Sequence, residues 1–100
     1  MPNDKDWYQN GSKLADALEN LKAVSDEKTV LDTKTKELIK FVVASISRCD
    51  HCTTSHLKKA LAAGATKEEI TEALLIGSVQ SASTQMNWDI ETFERYLREK

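Results

Sequence analysis

The sequence contains few residues that interrupt a helix. Three glycines and one proline occur in 100 residues, and the proline stands at position 2. Alanine, leucine, lysine and glutamate favour helices and are abundant, and no six-residue window alternates in the manner of a strand. We therefore expect an all-α fold of about five helices, without a sheet. A chain of this length is expected to form a single domain over residues 1–100.

Capping residues and apolar spacing place the first two helices. Residues 1–11 are expected to form an arm, after which Ser12 caps a first helix. A second helix begins at Asp32 or Thr33 and ends near Ile46. Its apolar residues cover roughly 200° of the circumference, which is wider than a surface helix needs.

The next boundaries are marked by a glycine and a capping pair. A third helix follows the segment that starts at Cys49 and ends near Ala63, where Gly64 is suited to a left-handed C-terminal cap. Thr66 and Glu69 have the spacing of a capping box and begin a fourth helix. We expect that helix to end near residue 83 and a final helix to begin near residue 89.

Helix four carries apolar residues on every side, which predicts that it is buried on every side. These residues are Ile70, Ala73, Leu74, Leu75, Ile76, Val79 and Ala82. So small a subunit cannot cover both this helix and the second one. The sequence therefore predicts an obligate homo-oligomer, and a hexamer built from dimers or trimers is the expected form.

Charge and hydropathy exclude several classes of partner. Fourteen basic and sixteen acidic residues give a net charge of −2, and the sequence lacks the basic cluster of a nucleic-acid-binding protein. An anionic membrane surface would not attract such a chain, and no apolar run approaches the roughly 18 residues of a transmembrane helix. The polar N-terminus does not resemble a signal peptide, so we expect a cytoplasmic protein.

The two cysteines form one Cys-x-x-Cys unit, Cys49 and Cys52, which in a reducing compartment indicates redox or metal chemistry. On a helix, Cys49, Cys52 and His56 share one face, and the two cysteine Cα atoms would lie about 5–6 Å apart. The helix N-terminus favours a thiolate, and His56 lies one turn beyond Cys52, where it can accept the thiol proton. A thiolate can attack a peroxide or disulfide, and the second cysteine can then close a disulfide.

Two further residues are candidates for this site. His51 lies about 100° away from the shared face, which suits a residue at the rim. Glu37 precedes Cys49 by twelve residues and would lie near His56 if helices two and three pack antiparallel. A carboxylate that orients an imidazole beside a thiol has the logic of a catalytic triad.

Simpler interpretations compete with this one. The cysteines could be buried packing or a chance pair, and Glu37 alone could be a solvated helix residue. Cys49, Cys52 and one histidine could also bind a metal, but a compact stretch of one helix cannot easily supply four tetrahedral ligands. No second Cys or His cluster is present, so we expect neither a metal nor a cofactor.

These residues nevertheless match a longer pattern: Glu, eleven residues, Cys, any residue, His, Cys, three residues, His. Glu37, Cys49, His51, Cys52 and His56 meet it without a departure. In this the chain resembles the alkylhydroperoxidase-D-like branch of the carboxymuconolactone decarboxylase superfamily. The resemblance covers roughly residues 14–85, and leaves residues 1–13 and 88–100 without a family role.

The resemblance implies an all-helical subunit that forms trimers or hexamers and reduces small hydroperoxides with thiols. It assigns Cys52 as the attacking thiol, Cys49 as the resolving thiol, and Glu37, His51 and His56 to a proton relay. It also implies a thiol reductant, which can be a lipoyl-bearing adaptor, and a peroxiredoxin as a further partner. The decarboxylase branch generally lacks paired cysteines, which argues against lactone decarboxylation.

Two other functions remain compatible with the residues. The chain could be a thiol redox sensor or oligomeric scaffold that cycles a disulfide without efficient turnover, or a decarboxylase-like lyase that uses His56. The residues also leave a choice between the thiols, because the helix terminus favours Cys49 and the neighbouring base favours Cys52. A positioned base contributes a factor of roughly 10²–10⁴ and outweighs the terminus, so we expect Cys52 to attack.

Overall fold

The computed structural model describes residues 11–99 and is all-helical over that range. It contains four helices, α1 (Lys13–Asp26), α2 (Thr33–Ile46), α3 (Asp50–Ala62) and α4 (Lys67–Tyr96). No strand occurs within the described residues, so the predicted all-α class is confirmed. The predicted N-terminal arm lies, except for Gly11, outside them.

The prediction of five helices is wrong in number, because the expected fourth and fifth helices are one. Helix α4 runs without a break for 30 residues. No glycine or proline lies between residues 83 and 89 to stop it. The polar side chains there bond within the helix instead: Gln85 Nε2 donates to Asp89 Oδ2 at 2.9 Å, one turn away.

The other predicted boundaries are confirmed by their caps. Ser12 Oγ accepts a hydrogen bond from the backbone N–H of Ala15 at 3.1 Å, which caps α1. Thr66 and Glu69 form both halves of the capping box of α4, at 3.0 and 2.8 Å. Gly64 follows α3 with φ of 95°, the left-handed conformation expected of a C-terminal cap.

The chain divides after Thr33 into two compact units. The first contains α1, which buries none of its residues and exposes an apolar stripe of Leu14, Leu18 and Leu21. The second contains α2, α3 and α4. Its buried residues are Phe41, Ala44, Ala60, Ala65 and Glu37.

Helix α4 approaches α2 closely at a single glycine. A Cβ atom built on Gly77 would lie 2.4 Å from Val42 Cγ1, so only glycine permits the observed approach. Elsewhere α4 buries no residue, and Val79 and Trp88 expose 70% and 82% of their surface. Within one chain, therefore, the apolar circumference of α4 is not covered. Over residues 11–99, no helix combines the length and apolarity that crossing a bilayer requires.

Candidate active site at the start of α3

A tight turn joins α2 to α3 and sets the position of the cysteines. The backbone N–H of Cys49 donates to Ala44 O at 3.0 Å and that of Arg48 donates to Ser45 O at 3.2 Å. These are the two bonds of a Schellman motif, with Arg48 at the left-handed position, φ 62°. A side chain in that conformation costs roughly 1–2 kcal/mol relative to glycine. The turn stops α2 abruptly and starts α3 directly after it.

Both cysteines lie in the first turn of α3. Cys49 is the N-cap residue, and its Sγ accepts a hydrogen bond from the backbone N–H of Cys52 at 3.2 Å. The two residues form a disulfide, and their Cα atoms are 5.2 Å apart, as the spacing predicted. The pair therefore lies where unpaired amides and the helix dipole stabilise negative charge on sulfur.

Glu37 of α2 and His56 of α3 meet across this helical hairpin. His56 Nδ1 lies 2.7 Å from Glu37 Oε1, which is the contact expected from antiparallel packing of the two helices. Glu37 is only 6% exposed and lies on the buried face of α2 together with Phe41 and Ala44. Because Nδ1 is held by the carboxylate, Nε2 is the nitrogen left to exchange a proton with a thiol.

Lys40 is a neighbour of this pair that the sequence analysis did not single out. Its Nζ lies 3.8 Å from Glu37 Oε2, the oxygen that His56 does not contact. The lysine therefore places a positive charge beside the buried carboxylate. The signal was its position three residues after Glu37, on the same helix face.

His51 is placed apart from these contacts. It is exposed, and its ring has no hydrogen-bond partner among residues 11–99. It lines a shallow pocket of about 370 Å³ together with Thr54, Ser55, Lys58 and Lys59. The structure thus joins Glu37 to His56 by a hydrogen bond and Cys49 to Cys52 by a disulfide, whereas His51 takes part in neither bond.

A second pocket opens on the disulfide from the side of the turn. It encloses about 270 Å³ and is lined by Ser45, Arg48, Cys49, Asp50 and Thr53. Cys49 is the cysteine that lines it. Arg48 and Asp50 were not predicted as site residues, although both directly flank Cys49 in the sequence.

The grouping of donor side chains bears on what the site can bind. In the part of the chain that the structure describes, no three His, Cys, Asp or Glu side chains come together as metal ligands. The arrangement combines a disulfide-bonded cysteine pair, an imidazole and a buried carboxylate. Such a set can move two electrons through the sulfurs and a proton through the imidazole.

Two curated proteins are similar to this chain in sequence. An alkyl hydroperoxide reductase AhpD of Corynebacterium aurimucosum is 33% identical over 81% of this chain and 45% of its own length. Uncharacterized protein 4 of the cox locus of Paracoccus denitrificans is 36% identical over 72% of this chain and 65% of its own. The chain thus spans less than two thirds of the length of these curated relatives.

Solved structures share the fold. A Methanobacterium thermoautotrophicum protein superposes with a TM-score of 0.75 at 28% identity, covering 85% of this chain and 98% of that one. A Thermotoga maritima carboxymuconolactone decarboxylase family protein, for which a part in the antioxidative response is suggested, superposes with a TM-score of 0.65. It is 35% identical, and the match covers 90% of this chain and 95% of that one. The sequence profile of the carboxymuconolactone decarboxylase family matches residues 12–91, and the chain therefore belongs to this family.

Proposed function

We propose that the chain is a thiol-dependent peroxidase that reduces small hydroperoxides through Cys49 and Cys52. One observation carries this proposal. The Cys49–Cys52 disulfide lies at the N-terminus of α3, one helical turn from a histidine that is hydrogen-bonded to a buried carboxylate. A sulfur pair that only packs in a core has no need of an oriented base beside it.

In the oxidative half of the proposed cycle, Cys52 attacks. His56 Nε2 takes the thiol proton of Cys52, while Glu37 holds the ring and stabilises the imidazolium that forms. The thiolate then attacks one oxygen of the hydroperoxide and breaks the O–O bond. The alkoxide takes the proton from His56 and leaves as an alcohol, and Cys52 becomes a sulfenic acid.

Cys49 completes this half-reaction as the resolving thiol. Its thiolate attacks the sulfenic sulfur of Cys52, which releases the hydroxyl as water and forms the disulfide. Each peroxide thus consumes two protons and two electrons and yields one alcohol and one water. We assign His51 to the proton relay only as the rim residue that the family pattern suggests, since it takes part in neither the disulfide nor the Glu37–His56 hydrogen bond.

Turnover then needs a thiol reductant to reopen the disulfide. By the family resemblance, a lipoyl-bearing adaptor can supply it and a peroxiredoxin can be a further partner. Such a cycle suits a reducing compartment, and we propose the cytoplasm. The AhpD relative supports the peroxidase assignment.

We also propose that the chain assembles with copies of itself, as a trimer or hexamer. The support is α4, which buries none of its residues within one chain although apolar side chains surround it. Leu75, Ile76 and Val79 each leave more than half of their surface exposed. Contiguous apolar surface of this kind marks a protein interface.

The proposed function is tested by steady-state peroxide consumption. Wild type is supplied with a small hydroperoxide and with dithiothreitol or dihydrolipoamide, and the Cys52→Ser variant is the matched control. We expect continuous consumption by wild type and none above background by the variant. A single equivalent consumed per chain would instead indicate a redox sensor. Lactone turnover that survives in a Cys49→Ser, Cys52→Ser double variant would indicate a lyase.

A further inference from the structure

The left-handed residue between α2 and α3 is an arginine, in a motif that the same chain builds with glycine elsewhere. At the end of α3, Ala65 N–H donates to Ala60 O at 2.9 Å and Gly64 N–H donates to Leu61 O at 3.0 Å. These two bonds have the same pattern as those at the end of α2, and Gly64 occupies the place that Arg48 occupies there. The φ angles are 95° and 62°.

Glycine is the residue that this position favours, because a Cβ atom is strained there. Replacing Arg48 with glycine would remove the strain and leave both backbone bonds of the turn intact. A strained side chain retained beside a reactive group points to a use for that side chain. The backbone alone gives no reason for an arginine at position 48.

The surroundings of Arg48 suggest that use. Its side chain lines the pocket of about 270 Å³ that opens on Cys49. Within residues 11–99, no carboxylate lies within ion-pair distance of its guanidinium. The side chain is therefore available to an incoming anion in the pocket that Cys49 also lines.

We propose that Arg48 selects anionic thiol reductants and directs them to Cys49, an inference that rests on the proposed redox cycle. The carboxylate of a dithiol binds the guanidinium, and a thiolate of the same molecule attacks Cys49 Sγ. The Cys49–Cys52 bond breaks, Cys52 leaves as a thiolate, and His56 returns a proton to it.

The second thiol of the reductant then completes the step. It attacks the mixed disulfide on the sulfur of the reductant, which becomes a cyclic disulfide, and Cys49 leaves as a thiolate. The Cys52 N–H that bonds to Cys49 Sγ at 3.2 Å stabilises this leaving group. Two electrons pass from the dithiol to the protein, and two thiols replace its disulfide.

The experiment compares two dithiols that differ by one charge, dihydrolipoate and dihydrolipoamide. Each reduces the oxidised protein in a single turnover without any peroxide, and the appearance of protein thiols is followed in time. We expect wild type to react about 2–5-fold faster with dihydrolipoate, the size of an exposed ion pair, and the preference to fall with added salt. Arg48→Gly should bring the ratio of the two rates, dihydrolipoate over dihydrolipoamide, to about one. Arg48→Lys should keep most of the preference for dihydrolipoate.

Matched variants separate this effect from general charge and from folding. Arg95→Gln removes one positive charge from the last turn of α4 and should leave the ratio unchanged. Asp50→Asn removes the carboxylate that lines the same pocket, and it should raise the ratio of the dihydrolipoate rate to the dihydrolipoamide rate. Arg48→Gly should also raise the thermal midpoint by roughly 4–8 °C, and Gly64→Arg should lower it by a similar amount.

Because the assay uses no peroxide, its outcome is independent of the peroxidase proposal. A wild-type ratio of one, or a ratio that survives in Arg48→Gly, would overturn the role of Arg48 even if peroxide is consumed. A ratio that Arg48→Gly abolishes would support that role even if wild type consumes no peroxide.

Discussion

The α2–α3 hairpin and helix α4 differ in what a single chain completes. The hairpin brings Glu37 and His56 to 2.7 Å and buries the carboxylate, so its polar contacts are satisfied within one subunit. Helix α4 buries none of its 30 residues, although Gly77 lets it approach Val42 of α2 closely. The comparison indicates that one chain completes the contacts of the candidate site but leaves the apolar surface of α4 exposed, which is the surface that the proposed assembly would cover.

Removing Glu37 or His56 should slow the proposed reaction of the α2–α3 hairpin without changing the assembly through α4. Glu37→Gln and His56→Ala should each slow thiol oxidation by peroxide by roughly 10²–10⁴-fold, the contribution of a positioned base. Because the two residues act as one unit, the double variant should be little slower than the slower single variant. Stopped-flow measurement of thiol loss gives the rates, and light scattering checks the assembly.

Multiplied losses in the double variant would show that Glu37 and His56 act independently. His51→Ala is the matched histidine control. It should slow thiol oxidation less than His56→Ala does, because His51 is exposed and His56 is the histidine that is hydrogen-bonded to Glu37.

A charge placed on the apolar surface of α4 should dissociate the oligomer and leave the α2–α3 hairpin unchanged. Val79→Asp places a carboxylate on an apolar side chain that is 70% exposed in one chain. If a second copy covers it, the buried charge should dissociate the oligomer in light scattering at micromolar concentration. Thr71→Asp, at an exposed polar position on the same helix, should leave the assembly unchanged. A wild-type particle of 11.2 kDa would contradict the proposed assembly.

The contact of α4 with α2 can be tested at Gly77. Gly77→Ala would place a methyl group 2.4 Å from Val42 Cγ1 and should destabilise the fold by roughly 1–3 kcal/mol. Adding Val42→Ala should recover part of this loss, because it removes the clashing methyl. Urea unfolding measures both variants, with Ser78→Ala as the neighbouring exposed control. An unchanged midpoint in Gly77→Ala would show that α4 does not pack on α2 this closely.

The smallest effect concerns the polar contact between α2 and α4. The hydrogen bond from Lys34, at 2.8 Å, and that from the Thr66 backbone lower the pKa of Glu69 below its ordinary value. A carboxyl whose pKa is depressed in the folded state stabilises the fold above its unfolded pKa and loses this contribution as the pH falls through its folded pKa. Glu69→Gln keeps the capping geometry, so it should lower the thermal midpoint slightly at pH 7 and not in acid. An equal difference at both pH values would exclude the ion pair as the cause.

Much of the hairpin could be predicted from the sequence, because local spacing determines it. The spacing of the cysteines predicts their Cα separation, and the position of Glu37 twelve residues before Cys49 predicts its contact with His56. Lys40 was missed although its position three residues after Glu37 places it on the same helix face. Arg48 was missed because its place beside Cys49 in the pocket depends on the left-handed conformation of the turn, which residue spacing does not encode.

The length of α4 could not be predicted from residue types alone. Polar residues around Ser83 and Asp89 suggested a break, but bonds such as that between Gln85 and Asp89 satisfy them within a continuous helix. Hydrogen bonds between side chains one turn apart therefore let a single helix continue where two helices were expected.

Identifying the cysteine that attacks peroxide tests the central claim most directly. Two hydrogen bonds frame the choice between the thiols: one joins the Cys52 N–H to Cys49 Sγ, and the other joins His56, the base that we propose for Cys52, to Glu37. Cys49→Ser and Cys52→Ser are each treated with peroxide and dimedone and mapped by mass spectrometry. We expect Cys49→Ser to react once and carry dimedone on Cys52, and Cys52→Ser to remain unlabelled. Labelling of Cys49 in Cys52→Ser, at a rate comparable to wild type, would contradict the account.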